Sequence, residues 1–254
     1  MTILIATGLR REARLMAGPG VTVIAGGGDA TRLERELDVL ASSATAILSS
    51  GLAGALDPSL KVGDVVIGVS LIVAQERSPA KAGVQPQRLD WAPAFAGERE
   101  GGSQGSDLLG RKLAGLLPDA RTGPMAATDY PLASAGEKKA LFDQTGAFAV
   151  DMETHIAARV AARHGLPFAA VRVISDAADT TLPPAALAGM RPDGGIAIAA
   201  VLASLARDPG QIPALIRTAR DAEKAFRALG RLHDMLRGGG IGRLDPRQLL
   251  LDMT

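Results

Sequence analysis

Short apolar runs rich in β-branched residues recur along the chain, and Gly, Ser or Asp stands at their ends. Runs that are apolar on both faces are typical of buried strands in a mainly parallel sheet. Between the runs lie helical patterns, notably over Thr31–Ala41 and Thr154–His164. The alternation of the two patterns predicts an α/β fold, with helices layered on a central sheet. The predicted strands are Ile3–Ala6, Val21–Ala25, Ala46–Leu48, Val65–Val73 and Phe168–Ile174.

The pattern changes at two places, and these divide the chain. From residue 75 to residue 107, several prolines and a cluster of Gly and Ser interrupt the periodicity. Two interpretations stay open for this segment: a flexible lid or insertion near a site, and a disordered surface loop. Further on, Gly238-Gly239-Gly240 precedes a short tail. We therefore predict one domain over residues 1–237 and a C-terminal tail over residues 238–254.

A long amphipathic helix is predicted ahead of that tail. Packing of its apolar stripe on the protein's own core is the commoner arrangement. Contact of a basic amphipathic helix with an anionic membrane surface is the alternative. The apolar stripe consists of Ile212, Leu215, Ile216, Ala219, Phe226, Leu229 and Leu232, and the basic residues on the other faces are Arg217, Arg220, Lys224, Arg227 and Arg231.

Composition narrows the classes of function. The 254 residues include 28 basic, 27 acidic and only 3% aromatic residues, so nucleic acid is not expected as a partner. The absence of cysteine excludes disulfides and thiolate chemistry and suits a reducing cytoplasm. The N-terminus has no signal-peptide pattern, and no apolar run reaches the roughly 18 residues of a membrane span. We expect a cytoplasmic protein.

Two acidic residues next to predicted strands give the first chemical signal. Glu153 ends the segment Asp151-Met152-Glu153 at a strand-to-helix junction, and Asp176 follows Ser175 at the end of an apolar strand. Doubly wound sheets present their ligands at such edges. Partial desolvation favours the neutral form of Asp176, as a general acid requires, and Ser175 can orient it. Structural interpretations remain, with Asp176 as a cap and Glu153 as an ordinary acid of a first helical turn.

The N-terminal segment offers a second cluster of candidate groups. Gly8 lets the backbone turn towards a ligand, and the start of the helix that follows attracts an anion. Glu12 can activate a water molecule, whereas Arg10 or Arg11 can bind phosphate. Taken alone, these residues also fit ordinary solvated charges.

Small residues from Ser49 to Leu56, including Ser50 and Gly51, follow the strand Ala46–Leu48. They allow backbone amides to approach an anion or a hydroxyl-rich ligand, and tight helix–strand packing is the alternative. The segment fits neither a P-loop nor a dinucleotide fingerprint. The three histidines are scattered without the spacing of metal ligands, and no nucleophile elbow is present. No metal or cofactor is therefore predicted.

In their order along the chain, these segments resemble the nucleoside phosphorylase and nucleosidase superfamily. The resemblance covers roughly residues 1–75 and 125–205 and is closest to the methylthioadenosine/adenosylhomocysteine nucleosidases. It implies a single-domain fold with a mainly parallel mixed sheet flanked by helices, cleavage of the N-glycosidic bond of a purine nucleoside, and a dimer or higher homo-oligomer. The segments that carry it are Glu12, Ser50-Gly51-Leu52-Ala53-Gly54, Lys61-Val62-Gly63-Asp64-Val65-Val66, Asp151-Met152-Glu153 and Val171-Arg172-Val173-Ile174-Ser175-Asp176.

The resemblance implies a role for each matching residue. Glu153 would hold the ribose 2′- and 3′-hydroxyls, with Met152 against the sugar. Asp176 would donate a proton to the purine N7, so that the base leaves neutral. Glu12 would position and deprotonate an attacking water. Tyr130 would stack on the base.

Two features leave the base and the nucleophile open. Pro131 departs from the family pattern because it lacks an N–H for the purine edge, so adenine is less firmly implied than bond cleavage. Phosphorylases of the superfamily usually carry an Arg just before the glycine-rich segment, where this chain has Ser49 and Ser50. Glu12 would also repel an anion, which makes hydrolysis the simpler prediction. The neighbouring Arg10 and Arg11 keep inorganic phosphate open as a co-substrate.

A further resemblance concerns the phosphorylase-like proteins associated with bacterial hopanoid biosynthesis, and it rests on residues 151–155 and on Leu250-Leu251-Asp252. It implies removal of adenine from adenosylhopane, a lipid-linked nucleoside, by a protein in peripheral contact with a membrane. Two other classes stay open. One is a non-catalytic nucleoside-binding or regulatory protein on the same fold, and the other is a peripheral membrane adaptor.

Overall fold

A mixed sheet of eight strands forms the centre of the computed structural model, which describes residues 2–74, 87–89, 104–191 and 194–239. The strands are β1 (Thr2–Thr7), β2 (Val21–Ala25), β3 (Ala44–Ala55), β4 (Val65–Val73), β5 (Gln87–Leu89), β6 (Arg121–Ala127), β7 (Ala149–Asp151) and β8 (Phe168–Asp176). The helices are α1 (Arg10–Met16), α2 (Ala30–Ala41), α3 (Gln104–Leu116), α4 (Ala135–Thr145), α5 (Thr154–His164), α6 (Pro184–Ala188), α7 (Ile198–Arg207) and α8 (Ile212–Gly238), with a 3₁₀ turn at Pro209–Gln211.

The sheet closes on itself over five of its strands. Its order is β2-β1-β3-β7-β6-β4-β5, and β8 pairs with both β3 and β4. Strands β3, β7, β6, β4 and β8 therefore form a ring. Most pairs are parallel, whereas β3 with β7, β4 with β5 and β4 with β8 are antiparallel. The predicted α/β fold with a mainly parallel mixed sheet is confirmed.

Strand β3 is longer than its apolar pattern indicates. The pattern predicts a strand that ends at Leu48, whereas β3 continues to Ala55. Residues 47–54 pair with β8, from Ile47 opposite Phe168 to Gly54 opposite Asp176. Because β8 supplies hydrogen-bonding partners along this whole length, the small residues do not end the strand. The Ser50-Gly51 segment therefore lies inside the sheet, not in a loop after it.

Helices cover both faces of the sheet and bury two large apolar cores, and α4 covers a third, smaller one. Side chains of α2 and α5, such as Leu37 and Val160, pack in one core. Those of α1, α3 and α8, such as Met16 and Leu229, pack in the other. Only part of the apolar stripe predicted on α8 packs in the core. Phe226, Leu229 and Leu232 are buried, whereas Ile212 and Ile216 are exposed.

Two predicted segments fall mainly outside the described residues. Of the 75–107 segment, only β5 and the first turn of α3 are described, and the tail beyond Gly239 lies outside them. Helix α8 ends at Gly238, as the glycine triplet predicts. Within the described part of the chain, no helix is both long and apolar enough to cross a bilayer.

Candidate active site

A cavity of about 310 Å³ opens where β1, β3, β7 and β8 bring their functional residues together. This size is at the lower end of the range for small-molecule sites. Seven of the residues predicted from the sequence line it, and they are Gly8, Glu12, Tyr130, Met152, Glu153, Ser175 and Asp176.

Glu12 is buried and held by the backbone. It lies in the first turn of α1, where its Oε2 accepts hydrogen bonds from the N–H groups of Gly8 (2.8 Å) and Leu9 (2.7 Å). Its Oε1 accepts one from the N–H of Leu52 at 2.9 Å. Burial raises the pKa of the Glu12 carboxyl, although these bonds and the charge of Arg172 act against it. Glu12 is thus a fixed carboxyl group with a raised proton affinity, and not a solvated charge.

Glu153 faces the cavity because its neighbour Asp151 caps the helix. Asp151 Oδ1 accepts the N–H of Thr154 at 3.0 Å, whereas the Glu153 side chain makes no capping bond to α5. Burial raises the pKa of Glu153 to about 8, and the charges of Asp151 and Glu12 add to this against the opposing effect of Arg172. The capping interpretation therefore fits Asp151 and leaves Glu153 available to a ligand.

Arg172 is the counter-ion of these acids, and the sequence analysis missed it. Its guanidinium group is fully buried. Nε forms an ion pair with Asp151, Nη2 donates to Ser49 Oγ at 2.7 Å, and Nη2 lies 3.8 Å from Glu153 Oε2. A charged residue inside the apolar run Val171–Ile174 was the signal, because a buried charge requires partners.

Asp176 is held from two sides at the end of β8. Ser175 Oγ lies 2.7 Å from its Oδ1, so the hydrogen bond predicted between these residues is present. Its Oδ2 forms an ion pair with Lys138 Nζ. No helix begins next to Asp176, since α6 starts only at Pro184. Asp176 therefore does not cap the next segment.

Lys138 is a second buried residue that the sequence analysis missed. It lies on α4 and is fully buried, and its Nζ also donates to the carbonyl oxygens of Ala177 (2.9 Å) and Thr180 (3.0 Å). One ammonium group thus fixes both Asp176 and the turn that follows. The available signal was weak: Lys138 precedes Leu141 by one helical turn and so shares its buried face.

Four predicted residues lie outside the cavity wall. Ser50 is buried, with its Oγ 4.0 Å from Met16 Sδ, and Gly51 lies behind the wall. A Cβ on Gly51 would lie 2.8 Å from Arg172 Nη1 and 3.0 Å from Glu12 Oε1, so this glycine permits their close approach. Arg10 is exposed.

Arg11 is held away from the cavity by α8. Its Nη2 lies 2.8 Å from Glu223 Oε2, and its guanidinium carbon lies 4.1 Å from the centre of the Phe226 ring. Both contacts keep this arginine on the outer side of α1. The structure thus gathers the predicted acids in one place but does not bring Arg11 to them.

Comparison with known families gives one match over most of the chain. Residues 18–207 match the model of the phosphorylase superfamily. The match includes Lys138, Glu153, Arg172 and Asp176, whereas Glu12 lies ahead of it. No curated protein sequence matches the chain.

Solved structures share the fold at low sequence identity. A 5′-methylthioadenosine/S-adenosylhomocysteine nucleosidase from Neisseria meningitidis, in complex with methylthio-immucillin-A, aligns with a TM-score of 0.62 and 15% identity over 96% of this chain and 99% of its own. The corresponding Helicobacter pylori nucleosidase aligns with a TM-score of 0.56 and 19% identity, over 92% of this chain and 98% of its own. Futalosine hydrolase of Helicobacter pylori aligns with a TM-score of 0.53 and 20% identity, over 69% of this chain and 88% of its own.

Proposed function

The chain belongs to the phosphorylase superfamily, and from that premise we propose that it is a nucleosidase that cleaves the N-glycosidic bond of an adenosyl-type purine nucleoside. The observation that carries the proposal is the presence of Glu12, Glu153 and Asp176 in one cavity. Gly51 packs beside Glu12 and Gly54 beside Asp176. Three residues of extended strand separate these glycines, roughly 10 Å, which suits a ribose at one end and a base at the other.

At the base end, Asp176 acts as the general acid. The C1′–N9 bond breaks with its electron pair moving to the purine, and Asp176, which carries a proton in the substrate complex, gives that proton to N7 and becomes the carboxylate, so that the base leaves neutral. Ser175 and Lys138 hold the carboxyl group in place for this transfer. Tyr130 lies against the base. General acid catalysis of this kind typically contributes about 10²–10⁴-fold to the rate.

At the sugar end, Glu153 accepts hydrogen bonds from the ribose 2′- and 3′-hydroxyls, with Met152 against the ring. Its raised pKa, about 8, means that the carboxylate is disfavoured in the empty cavity. Positive charge that develops on the ribosyl group favours the carboxylate. This interaction is therefore stronger in the transition state than in the ground state, and it accelerates the reaction.

Water is the proposed nucleophile, and Glu12 accepts its proton as the new C1′–O bond forms. The raised pKa of Glu12 suits a group that takes a proton. Phosphate is disfavoured because three carboxyl groups, of Glu12, Asp151 and Glu153, surround one guanidinium. Inorganic phosphate remains the alternative co-substrate.

The 5′-substituent is proposed to be apolar and lipid-linked, as in adenosylhopane. Apolar residues form part of the cavity wall, among them Leu182, Ala186, Met190 and Phe226. We further propose a cytoplasmic homo-oligomer that contacts a membrane peripherally. A non-catalytic nucleoside-binding protein on this fold is the alternative function, since its cavity would have the same shape.

The test is to incubate the protein with adenosyl nucleosides that carry short or long apolar 5′-groups, with and without phosphate. We expect free adenine together with a ribose product, in the absence of phosphate. Strict phosphate dependence with a ribose 1-phosphate product would overturn the role of Glu12. Tight binding of the nucleosides without adenine release would identify the non-catalytic alternative.

A further inference from the structure

Helix α7 turns a broad apolar face to solvent, although Val201 and Leu205 on its other side are half-buried. Ile198 and Leu202 are 67% and 60% exposed, and three alanines on the same face are exposed too. The buried side carries Ser204, whose hydroxyl lies 3.2 Å from Gln211 Nε2. A surface helix of a soluble domain normally shows the opposite arrangement. An apolar helical face of this kind indicates that something other than water covers it.

The apolar area continues beyond α7 in both directions. Eight large apolar residues are strongly exposed in the described part of the chain, and six of them fall between residues 190 and 216. We name their area the α7–α8 surface, and its members are Met190, Ile196, Ile198, Leu202, Ile212 and Ile216. Met190 also lines the cavity. The surface is therefore continuous with the mouth of the candidate active site.

Basic residues border this surface. Arg207, Arg217 and Arg220 are exposed, and only two acids, Asp208 and Asp221, occur among residues 194–221. The structure shows no ion pair for these three arginines within its described residues. An apolar area bordered by arginines matches the interface of a bilayer, which offers acyl chains below and phosphate groups at the same level.

We propose that the α7–α8 surface docks on an anionic lipid bilayer. A second copy of the chain is a poorer occupant, because a two-fold contact would bring the arginines of both copies together with few acids to neutralise them. Docking in this orientation turns the Met190 side of the cavity towards the lipid. The docking rests on the membrane contact proposed above and assigns it a surface, but it does not depend on the proposed reaction, so a failure of either can be distinguished.

The test is co-sedimentation with vesicles of phosphatidylcholine alone or mixed with phosphatidylglycerol, in the absence of any substrate. We expect binding to the mixed vesicles that weakens with salt, and little binding to phosphatidylcholine alone. The double variant Ile198→Ser/Leu202→Ser should lose on the order of tenfold or more in affinity. Val39→Ser is the matched control, since Val39 is 71% exposed on α2, away from this surface.

Reversing the charge of the bordering arginines tests the docking proposal independently. Arg217→Glu/Arg220→Glu should weaken binding by at least about tenfold, whereas Arg35→Glu on α2 should not. Wild-type protein that stays in the supernatant with both kinds of vesicle would overturn the proposal. A second result would also overturn it. If analytical ultracentrifugation shows a wild-type dimer that Ile198→Ser/Leu202→Ser dissociates, and the wild-type protein does not bind vesicles, then a second copy of the chain covers the surface.

Discussion

Around Arg172, the carboxyl groups of Glu12, Asp151 and Glu153 share one guanidinium, whereas Asp176 is the only carboxyl group among the described residues that contacts the ammonium group of Lys138 and the hydroxyl of Ser175. Both groups of residues sit on the same cavity and next to the same strand, β3. They differ in charge balance. The first has more acids than bases, and the second pairs one acid with one base.

The difference assigns a separate physical task to each end. Burial raises the pKa of Glu12, and burial together with the charges of Asp151 and Glu12 raises the pKa of Glu153 to about 8, so Glu153 at the proposed sugar end changes its protonation near neutral pH. Two charge-assisted contacts fix the carboxyl group of Asp176, so the base end is preorganised. The sugar end should therefore respond most to pH, and the base end most to the loss of a single partner.

The largest effect is expected from removing the proposed proton donor, Asp176. Asp176→Asn should lower the rate of base release by about 10²–10⁴-fold, because the amide cannot donate an acidic proton to the leaving purine. The amide oxygen still accepts from Lys138, so the fold is kept. Asp176→Ala is a poorer test, since it also leaves a buried ammonium group without its carboxylate. Release of adenine is the measurement.

Asp179→Asn serves as the control for that variant. Asp179 is exposed in the same turn, so its amide should leave the rate unchanged. Wild-type adenine release by Asp176→Asn would remove the general-acid assignment and, with it, the contrast between the two ends.

Removing Lys138, the other member of the ion pair with Asp176, should mainly lower the stability of the fold. Lys138→Met keeps the length and apolar body of the side chain but leaves Asp176, Ala177 and Thr180 without their shared donor. Removing one partner of a buried pair typically costs about 3–5 kcal/mol of unfolding free energy. Urea denaturation measures this.

The neighbouring residue supplies a matched control. Lys139→Met removes only an exposed ion pair with Asp143, so it should change stability by less than about 1 kcal/mol. If Lys138 acts through Asp176, then adding Asp176→Asn to Lys138→Met should cost less than the two single changes summed. Additive losses would mean that Lys138 supports the turn alone.

The acids that line the cavity could be predicted from the sequence, whereas Arg172 gave a signal only as a charge inside an apolar run and Lys138 gave almost none. Asp176 and Glu153 follow apolar strands, and the position at a sheet edge by itself suggests a ligand site. Lys138 and Lys139 are adjacent in the sequence, and only the packing of α4 buries one and exposes the other. A charge pair formed across 38 residues depends on tertiary structure, which no local pattern encodes.

The same limit applies to the fold. The apolar runs predict β2 and β4 with their observed ends, although β4 is buried along most of its length whereas β2 is a half-buried edge strand. The apolar run in β3 ends before the strand does. The small residues Ser50 and Gly51 do not extend the apolar pattern, and they are part of the strand because they pair with β8. The closed ring of strands follows from β8 pairing on both sides, which is again a tertiary property.

An effect that is smaller per pH unit, but spread over several units, should come from the proposed sugar end. The pKa of Glu153 is raised from 4.5 to about 8, so the folded protein holds this proton more tightly than the unfolded chain. Stability should therefore fall as pH rises from about 4.5 to about 8, by at most about 1.4 kcal/mol per unit, and change no further outside that window. Glu153→Gln removes this dependence, so it should be more stable than wild type above pH 8 although it loses activity.

Denaturant unfolding at several pH values compares Glu153→Gln with wild type and with Glu36→Gln, an acid on α2 outside the site. Subtracting the curves cancels the contributions of all other groups. Parallel curves for wild type and Glu153→Gln would show that the sugar end does not carry the pH response.

The smallest effects separate the two ends most directly, because one methyl group can be placed beside each acid. A Cβ on Gly8 would lie 2.9 Å from Glu153 Oε1, and one on Gly54 would lie 3.1 Å from Asp176 Oδ2. Neither glycine has a positive φ, so the backbone accepts alanine. Each change should lower kcat/KM by roughly fivefold, or about 1 kcal/mol.

Only Gly8→Ala should also move the pH dependence of stability, since it crowds the group that titrates. Gly230→Ala, with nothing within 4 Å of its Cβ, should change neither. An equal change of pH dependence in Gly8→Ala and Gly54→Ala would mean that the acids titrate as one cluster, and the two ends would not be electrostatically distinct.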